Sequence, residues 1–394
     1  MDYSKFLAKK VQEMKPSGIR KFFDMLEGRK GVISLTIGQP DFVTPWHIRE
    51  AGIESISGGH TYYTSNKGTK TLLYEIAKYM SRRCGLEYDP ATEILATVGA
   101  SEAIDLAIRA MVEPGDEVIV PLPCFVCYQP LIRMADGVPV EIVTTEAEGF
   151  KITPEKLRAA ITPKTKMVIL PYPSNPTGVI LTESELKEIA DIIIENDLIV
   201  LSDEIYAELT YTGKHVSIAT LPGMKERTVI VNGFSKAYAM TGWRLGFSLA
   251  PAPITDAMFK IHQYGVMCAS TASQYAAIEA LRNGDADIET MREQYDIRRR
   301  YLVSALNEIG LPCTSPEGAF YVFPRIDILG LSSEEFCSKL LEETNVAIVP
   351  GIAFGDCGEG YARLSYAYSL EHIKEAVSRI RYFIEKHKIM DNID

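Results

Sequence analysis

Residues 198–236 read LIVLSDEIYAELTYTGKHVSIATLPGMKERTVIVNGFSK. Two apolar runs, LIVL and TVIV, are short and almost continuous. Strands buried on both faces read this way, and such strands belong to parallel sheets covered by helices. Each run ends in polar chemistry: Asp203 closes the first, and Ser235 and Lys236 follow the second.

The same rhythm extends outward in both directions. EILATVG (93–99), EVIVPLP (117–123), PVEIVTT (139–145) and MVILPYP (167–173) read as further strands, and RLGFSLA (244–250) as one more. Helical stretches separate them, such as SEAIDLAIRAMV (101–112) and TESELKEIADIIIEN (182–196). The second opens with a capping box, Thr182-x-x-Glu185. After about residue 290 the pattern changes. A long charged helix, TMREQYDIRRRYLVSALNEIG (290–310), precedes AFYVFPRI (319–326), YARLSYA (361–367) and a closing helix at 370–388. The expectation is an α/β chain. A large domain over 46–288 carries a mostly parallel, helix-covered sheet; a smaller α+β domain combines 1–45 with 289–394.

Composition narrows the function. The chain has 394 residues, 46% of them hydrophobic, enough for a large core. A net charge of −11 argues against binding to nucleic acid or anionic lipid. Residues 1–18 hold no apolar run of signal-peptide length, and no stretch would span a membrane. Seven scattered cysteines suggest free thiols in a reducing compartment, so a cytoplasmic location is expected. Cys124-Phe-Val-Cys127 fits a C-x-x-C spacing, but no second pair or nearby histidine completes a zinc site, and no metal is expected. GDADIE (284–289) lacks the ligand order of a calcium loop. GDCGEG (355–360) reads as a loop of the small domain.

Ligands of such sheets bind beyond the carboxyl ends of the strands. EILATVG ends in Gly99-Ala100-Ser101 directly before a helix, where free N–H groups attract anions; Ser101 adds a hydroxyl or caps the helix. MVILPYP runs into PSNPTG, which presents Asn175. LIVLSDEI carries Asp203, with Tyr206 three positions on. TVIVNGF leads to Ser235 and Lys236, and Arg244 follows. Each has a plainer reading alone: a capped helix, a turn, a solvated lysine. Together at successive strand ends they form the set that pyridoxal 5'-phosphate (PLP) needs. Lys236 would be the Schiff-base lysine, its amine kept neutral by desolvation. Asp203 would pair with the pyridine nitrogen, while Asn175 and Tyr206 bond the phenolate oxygen. The 99–101 turn, Ser235 and Arg244 would hold the phosphate.

The chain resembles the class I/II aminotransferases, the fold type I PLP enzymes, over nearly its whole length. LTIGQPDFVTP, HTYYTSNKGTKTLLYEIA, VGASEAI, PYPSNPTG, LSDEIYAEL, NGFSKAYAMTGWRLGF, PEGAFYVFPRI and VPGIAFGDCGEGYARLSYA carry the likeness, in family order. The resemblance implies further roles. Arg363 would bind the substrate α-carboxylate, with the Gly38 backbone close by. Phe125 would stack on the pyridine ring. Tyr63 would reach the phosphate of a neighbouring subunit, which implies a homodimer.

One departure is Gly233-Phe234-Ser235-Lys236, where many relatives have S-x-S-K. Another is that no residue is assignable to a substrate side-chain carboxylate. The expected reaction moves an amino group between an L-amino acid and a 2-oxo acid. Lys236, Asp203 and Tyr206 would be its catalytic residues, and Gly38, Asn175 and Arg363 its substrate contacts. Aspartate, aromatic and N-acylated amino acids are the candidate substrates. The alternatives are a C–S β-lyase and, more remotely, a non-catalytic PLP-sensing module of a regulator.

Overall fold

The strands are, in chain order, β1 (Ile33–Ser34), β2 (Ile94–Thr97), β3 (Glu117–Leu122), β4 (Val138–Val143), β5 (Thr165–Leu170), β6 (Ile199–Asp203), β7 (Thr228–Gly233), β8 (Gly246–Leu249), β9 (Tyr321–Val322), β10 (Val346–Ala347), β11 (Val349–Pro350) and β12 (Ala362–Ser365). The structure, a computed structural model, describes residues 1–14 and 28–391. The central sheet has seven strands in the order β2-β8-β7-β6-β5-β3-β4. All neighbours are parallel except β8, which runs antiparallel to both β2 and β7. Every residue of β2, β7 and β8 is buried, which is why their sequences are apolar without alternation. The edge strand β4 is largely open to solvent.

Helices cover the sheet. Ala100–Met111 buries Ile104, Leu106 and Ile108 on its inner stripe. Glu183–Glu195 starts at the expected box: Thr182 Oγ1 accepts from the Glu185 N–H, and Glu185 Oε2 accepts from the Thr182 N–H. Two of the first four helical N–H groups are thereby satisfied near the chain surface.

A second core gathers Leu35, Tyr295, Leu302, Phe320, Phe336, Leu364 and Phe383. β9, β11 and β12 form a small antiparallel sheet there, and β1 pairs with β10 in parallel. The helix Asp285–Glu308 is unbroken, yet its partners change along its length. Ile288 packs with the central-sheet core and Met291 with the second core. Residues 1–14 differ from the 33–35 segment. Their helix, Lys9–Gln12, lies beside the helix Tyr128–Met134, which follows β3 of the central sheet. Lys10 Nζ meets Asp136 at 3.0 Å and the Met134 carbonyl at 2.9 Å, near the negative end of that helix.

Two glycine-rich or acidic stretches take ordinary places. Asp285 and Asp287 sit in the first turn of Asp285–Glu308, where the dipole favours acids. They pair with Arg82 and His47, respectively. The 355–360 loop folds near the end of β3, with the Cys124 N–H donating to the Phe354 carbonyl.

Candidate active site

Sheet direction brings the candidate residues together. β2, β3, β5, β6 and β7 all present their carboxyl ends at one edge, and antiparallel β8 presents its amino end there. A cavity of about 340 Å³ opens at this edge. It is walled by three cations, Lys236, Arg244 and Arg363, and by one acid, Asp203.

Lys236 stands on the single helical turn Phe234–Ala237 that follows β7. Phe234 anchors this turn in the core against Tyr238 and Phe247. The lysine Nζ donates to the Gly38 carbonyl at 2.6 Å. Burial first, and then the nearby Arg363 and Arg244 charges, lower its pKa to about 8. The amine therefore gives up its proton far more readily than an ordinary lysine, as a nucleophilic amine must. Gly38 is held against Tyr321 so closely that a Cβ there would lie 2.2 Å from the phenol oxygen. Only glycine brings its backbone carbonyl to Lys236 in this way.

Asp203 is buried at the end of β6. Its Oδ2 accepts from the Tyr128 hydroxyl at 2.7 Å and its Oδ1 from the Ile205 N–H at 3.2 Å. Burial raises its pKa, and these two hydrogen bonds oppose that rise. Tyr206 is also buried, and its hydroxyl lies 2.8 Å from that of Tyr321.

Arg363 is 3% exposed and has no ion-pair partner among the described residues. Nη1 donates to Asn175 Oδ1 at 2.9 Å and Nη2 to the Thr36 carbonyl at 2.5 Å. Tyr321 and Phe354 present ring faces to it, 4.5 and 4.9 Å from the guanidinium carbon. Its Nε is buried without a partner. A guanidinium buried with a spare donor suits a carboxylate ligand. Because arginine can only donate, Asn175 must turn its oxygen toward Arg363, which leaves its amide hydrogens free to donate elsewhere.

The opposite end is more open. Ala100, Ser101 and Ser235 line the cavity there, and Arg244 is exposed, donating to the Thr241 carbonyl at 3.1 Å. Gly99, at φ 77°, packs beneath Arg244, and a Cβ would stand 2.6 Å from Nη2. Gly99 rather than Ser101 occupies the helix N-cap; Ser101 lies inside the first turn, so its hydroxyl is not the cap. Phe125 also lines the cavity, with an edge contact to Tyr128 at 6.2 Å.

Tyr63 lies outside this group and is 79% exposed. Gly233 does not line the cavity; it faces Gly246 across the β7–β8 pair. A Cβ at 233 would lie 2.9 Å from Gly246 Cα, so the close approach of β7 to β8 here depends on Gly233. Cys124 and Cys127 have thiols that burial pushes up, away from reactivity. Sequence reasoning missed Tyr128, Tyr321 and Thr241. The tyrosines look like core residues until the fold sets them against Asp203, Tyr206 and Arg363.

The fit to a flat, anionic, heteroaromatic ligand is good. Arg244 and a helix N-terminus stand at one end, an acid and a lysine between, and a buried arginine beyond. Known proteins agree with it. Residues 30–380 match the family model described as aminotransferase class I and II. A putative aminotransferase, YugH, from Bacillus subtilis is 54% identical, with 97% of this chain and 99% of that protein covered. A probable N-acetyl-LL-diaminopimelate aminotransferase of the same organism is 47% identical, covering 98% of each. The crystal structure of an aromatic aminotransferase from Pyrococcus horikoshii OT3 superposes with a TM-score of 0.89 at 46% identity, covering 93% of this chain and 99% of that one.

Proposed function

The chain belongs to the class I and II aminotransferases and is a PLP-dependent transaminase; from that premise we propose how its own residues divide the work. Lys236 holds the cofactor through Nζ. Asp203 pairs with its ring nitrogen, and Asn175 and Tyr206 bond its phenolate oxygen. Phe125 would pack against the ring. The Gly99–Ser101 turn, Ser235 and Arg244 hold the phosphate. When bound, the cofactor supplies an electron sink for the pair left at the substrate α-carbon.

Arg363 would bind the α-carboxylate, beside the Gly38 backbone, and so orient the substrate α-carbon. Lys236 Nζ would take the proton from the substrate α-carbon and later return one. The observation that carries this reading is the amine itself: desolvated, lowered to about 8, and flanked by two guanidiniums on a wall with one acid. Lys236→Ala should abolish the cofactor's pH-dependent visible band and reduce turnover by several orders of magnitude. A variant that transaminates normally would defeat the assignment. A panel of aspartate, aromatic and N-acylated amino donors against 2-oxoglutarate, pyruvate and oxaloacetate will identify the substrate.

We further propose a homodimer in which Tyr63 reaches the partner's phosphate end. Exposed Val43, Trp46, Ile53, Ile56, Tyr62 and Tyr63 support it, since a single chain rarely leaves so much apolar surface in one segment. The two-domain division at residues 46 and 288 is likewise our reading, favoured by the change of core between Ile288 and Met291; the helix Lys9–Gln12 departs from it, standing beside Tyr128–Met134 of the large domain. Among the described residues no helix is long and apolar enough to cross a membrane. Seven free thiols favour the cytoplasm.

A further inference from the structure

Asp203 is surrounded by competing influences. Burial and the adjacent Glu204 favour its neutral form. Lys236 favours the anion, but only while its own amine is charged. Cys127 and Tyr206 also stand near it, and both are held neutral by burial. The Ile205 N–H is a long contact at 3.2 Å. That leaves the Tyr128 hydroxyl, at 2.7 Å, as the shortest donor to the carboxylate.

Tyr128 is itself fully buried, on the helix Tyr128–Met134 just after β3. Burial holds its phenol well above the usual range, so the proton stays on its oxygen and points the bond toward Asp203. Unlike Lys236, this donor does not depend on pH or on whether the lysine is engaged. The bond also joins two strand ends, since Tyr128 follows β3 and Asp203 closes β6.

We propose that Tyr128 is a positioning residue for this transaminase: its hydroxyl holds the Asp203 carboxylate as an oriented anion, ready for the protonated ring nitrogen of the cofactor. The inference rests on the assignment of Asp203 to that nitrogen. Without the hydroxyl, Asp203 becomes more basic, and the shared proton shifts from the ring nitrogen toward the carboxylate. The ring then loses positive charge and withdraws electrons less strongly. The effect is electronic, so it should appear in kcat and in the cofactor's absorbance more than in KM.

The test is Tyr128→Phe, which keeps the ring and removes one oxygen. Read without substrate, the pH midpoint of the bound cofactor's visible band should rise by about one unit, and kcat should fall about tenfold. Placing 3-fluorotyrosine at 128, a stronger donor, should move the midpoint down. In an Asp203→Asn background, Tyr128→Phe should shift the midpoint no further, because its route runs through the carboxylate. A wild-type midpoint in Tyr128→Phe, or an equal shift in the Asp203→Asn background, overturns the proposal while leaving the cofactor assignment intact. If Asp203→Asn itself neither moves the midpoint nor slows turnover, the Asp203 assignment falls first, and this inference with it.

Discussion

Arg363 and Arg244 guard opposite ends of one cavity, yet they are built differently. Arg363 is buried, fixed by Asn175 and the Thr36 carbonyl, and in contact with the rings of Tyr321 and Phe354. Arg244 is exposed, stands at a positive φ of 50°, and among the described residues donates to the Thr241 carbonyl alone. One arginine is fully preorganised by its own chain, and the other waits at an open rim. A buried guanidinium has already lost its water, so a carboxylate reaching it meets an undiluted charge. A rim arginine is screened by solvent and salt. The end proposed for the substrate is thus the rigid one. The end proposed for the phosphate spreads its hold over a helix N-terminus, two serines and a mobile-length side chain, none of which must bear the whole charge.

Removing the rigid arginine should have the larger effect. Arg363→Ala is expected to lower kcat/KM by roughly 10²- to 10³-fold, with KM for the amino acid carrying much of the loss. The change also tests the electrostatics. Burial is the main cause of the low Lys236 pKa, and the Arg363 charge is the next. With that charge gone, the amine should hold its proton to higher pH. The pH midpoint at which the cofactor-free protein captures PLP should then lie above that of wild type, because only the neutral amine reacts. A capture profile identical to wild type would show that the two groups do not communicate.

Arg244→Gln should act more gently and on a different quantity. The cofactor dissociation constant is expected to rise by about tenfold, consistent with one exposed charge-assisted hydrogen bond. Added salt should narrow the gap between variant and wild type, as screening already discounts the missing charge. Equilibrium dialysis at two ionic strengths would measure both. A loss as large as that of Arg363→Ala, or one insensitive to salt, would erase the contrast between the two ends.

The contrast also explains what could be read in advance. Asp203, Lys236 and Asn175 were legible because each interrupts or closes an apolar run, and polar residues at such places need a reason. Arg363 and Gly38 gave no such signal and came from resemblance alone. Tyr128 and Tyr321 were hidden for a different reason. They are two among 20 tyrosines, and their partners Asp203 and Tyr206 lie 75 and 115 residues away in sequence. Only the folded sheet brings those phenols to the site. The reversed direction of β8 was equally silent, because a buried strand is apolar whichever way it runs. The helix Lys9–Gln12 attaches through one ion pair and one carbonyl, a contact with no periodic trace.

Gly233 supplies the smallest effect and the finest test of the open end. A serine there would seem to add a phosphate donor where many relatives have one. In this fold the position is occupied sterically: the new Cβ would lie 2.9 Å from Gly246 Cα and 3.2 Å from the Leu245 carbonyl. Gly246 cannot retreat, because its own missing Cβ already makes room for the Gly99–Ala100 backbone at 2.5–2.6 Å. The strain would therefore pass from β7 through β8 into the turn that presents Ser101. Gly233→Ser should cost about 1–3 kcal/mol of stability, as overpacking does, and cofactor affinity should fall or stay level rather than rise. Gly233→Ala should lose nearly the same stability, since the Cβ and not the hydroxyl causes the clash. If the serine variant instead binds PLP more tightly than wild type, the β7–β8 contact is softer than its geometry implies. The rim would then be limited by missing donors rather than by packing.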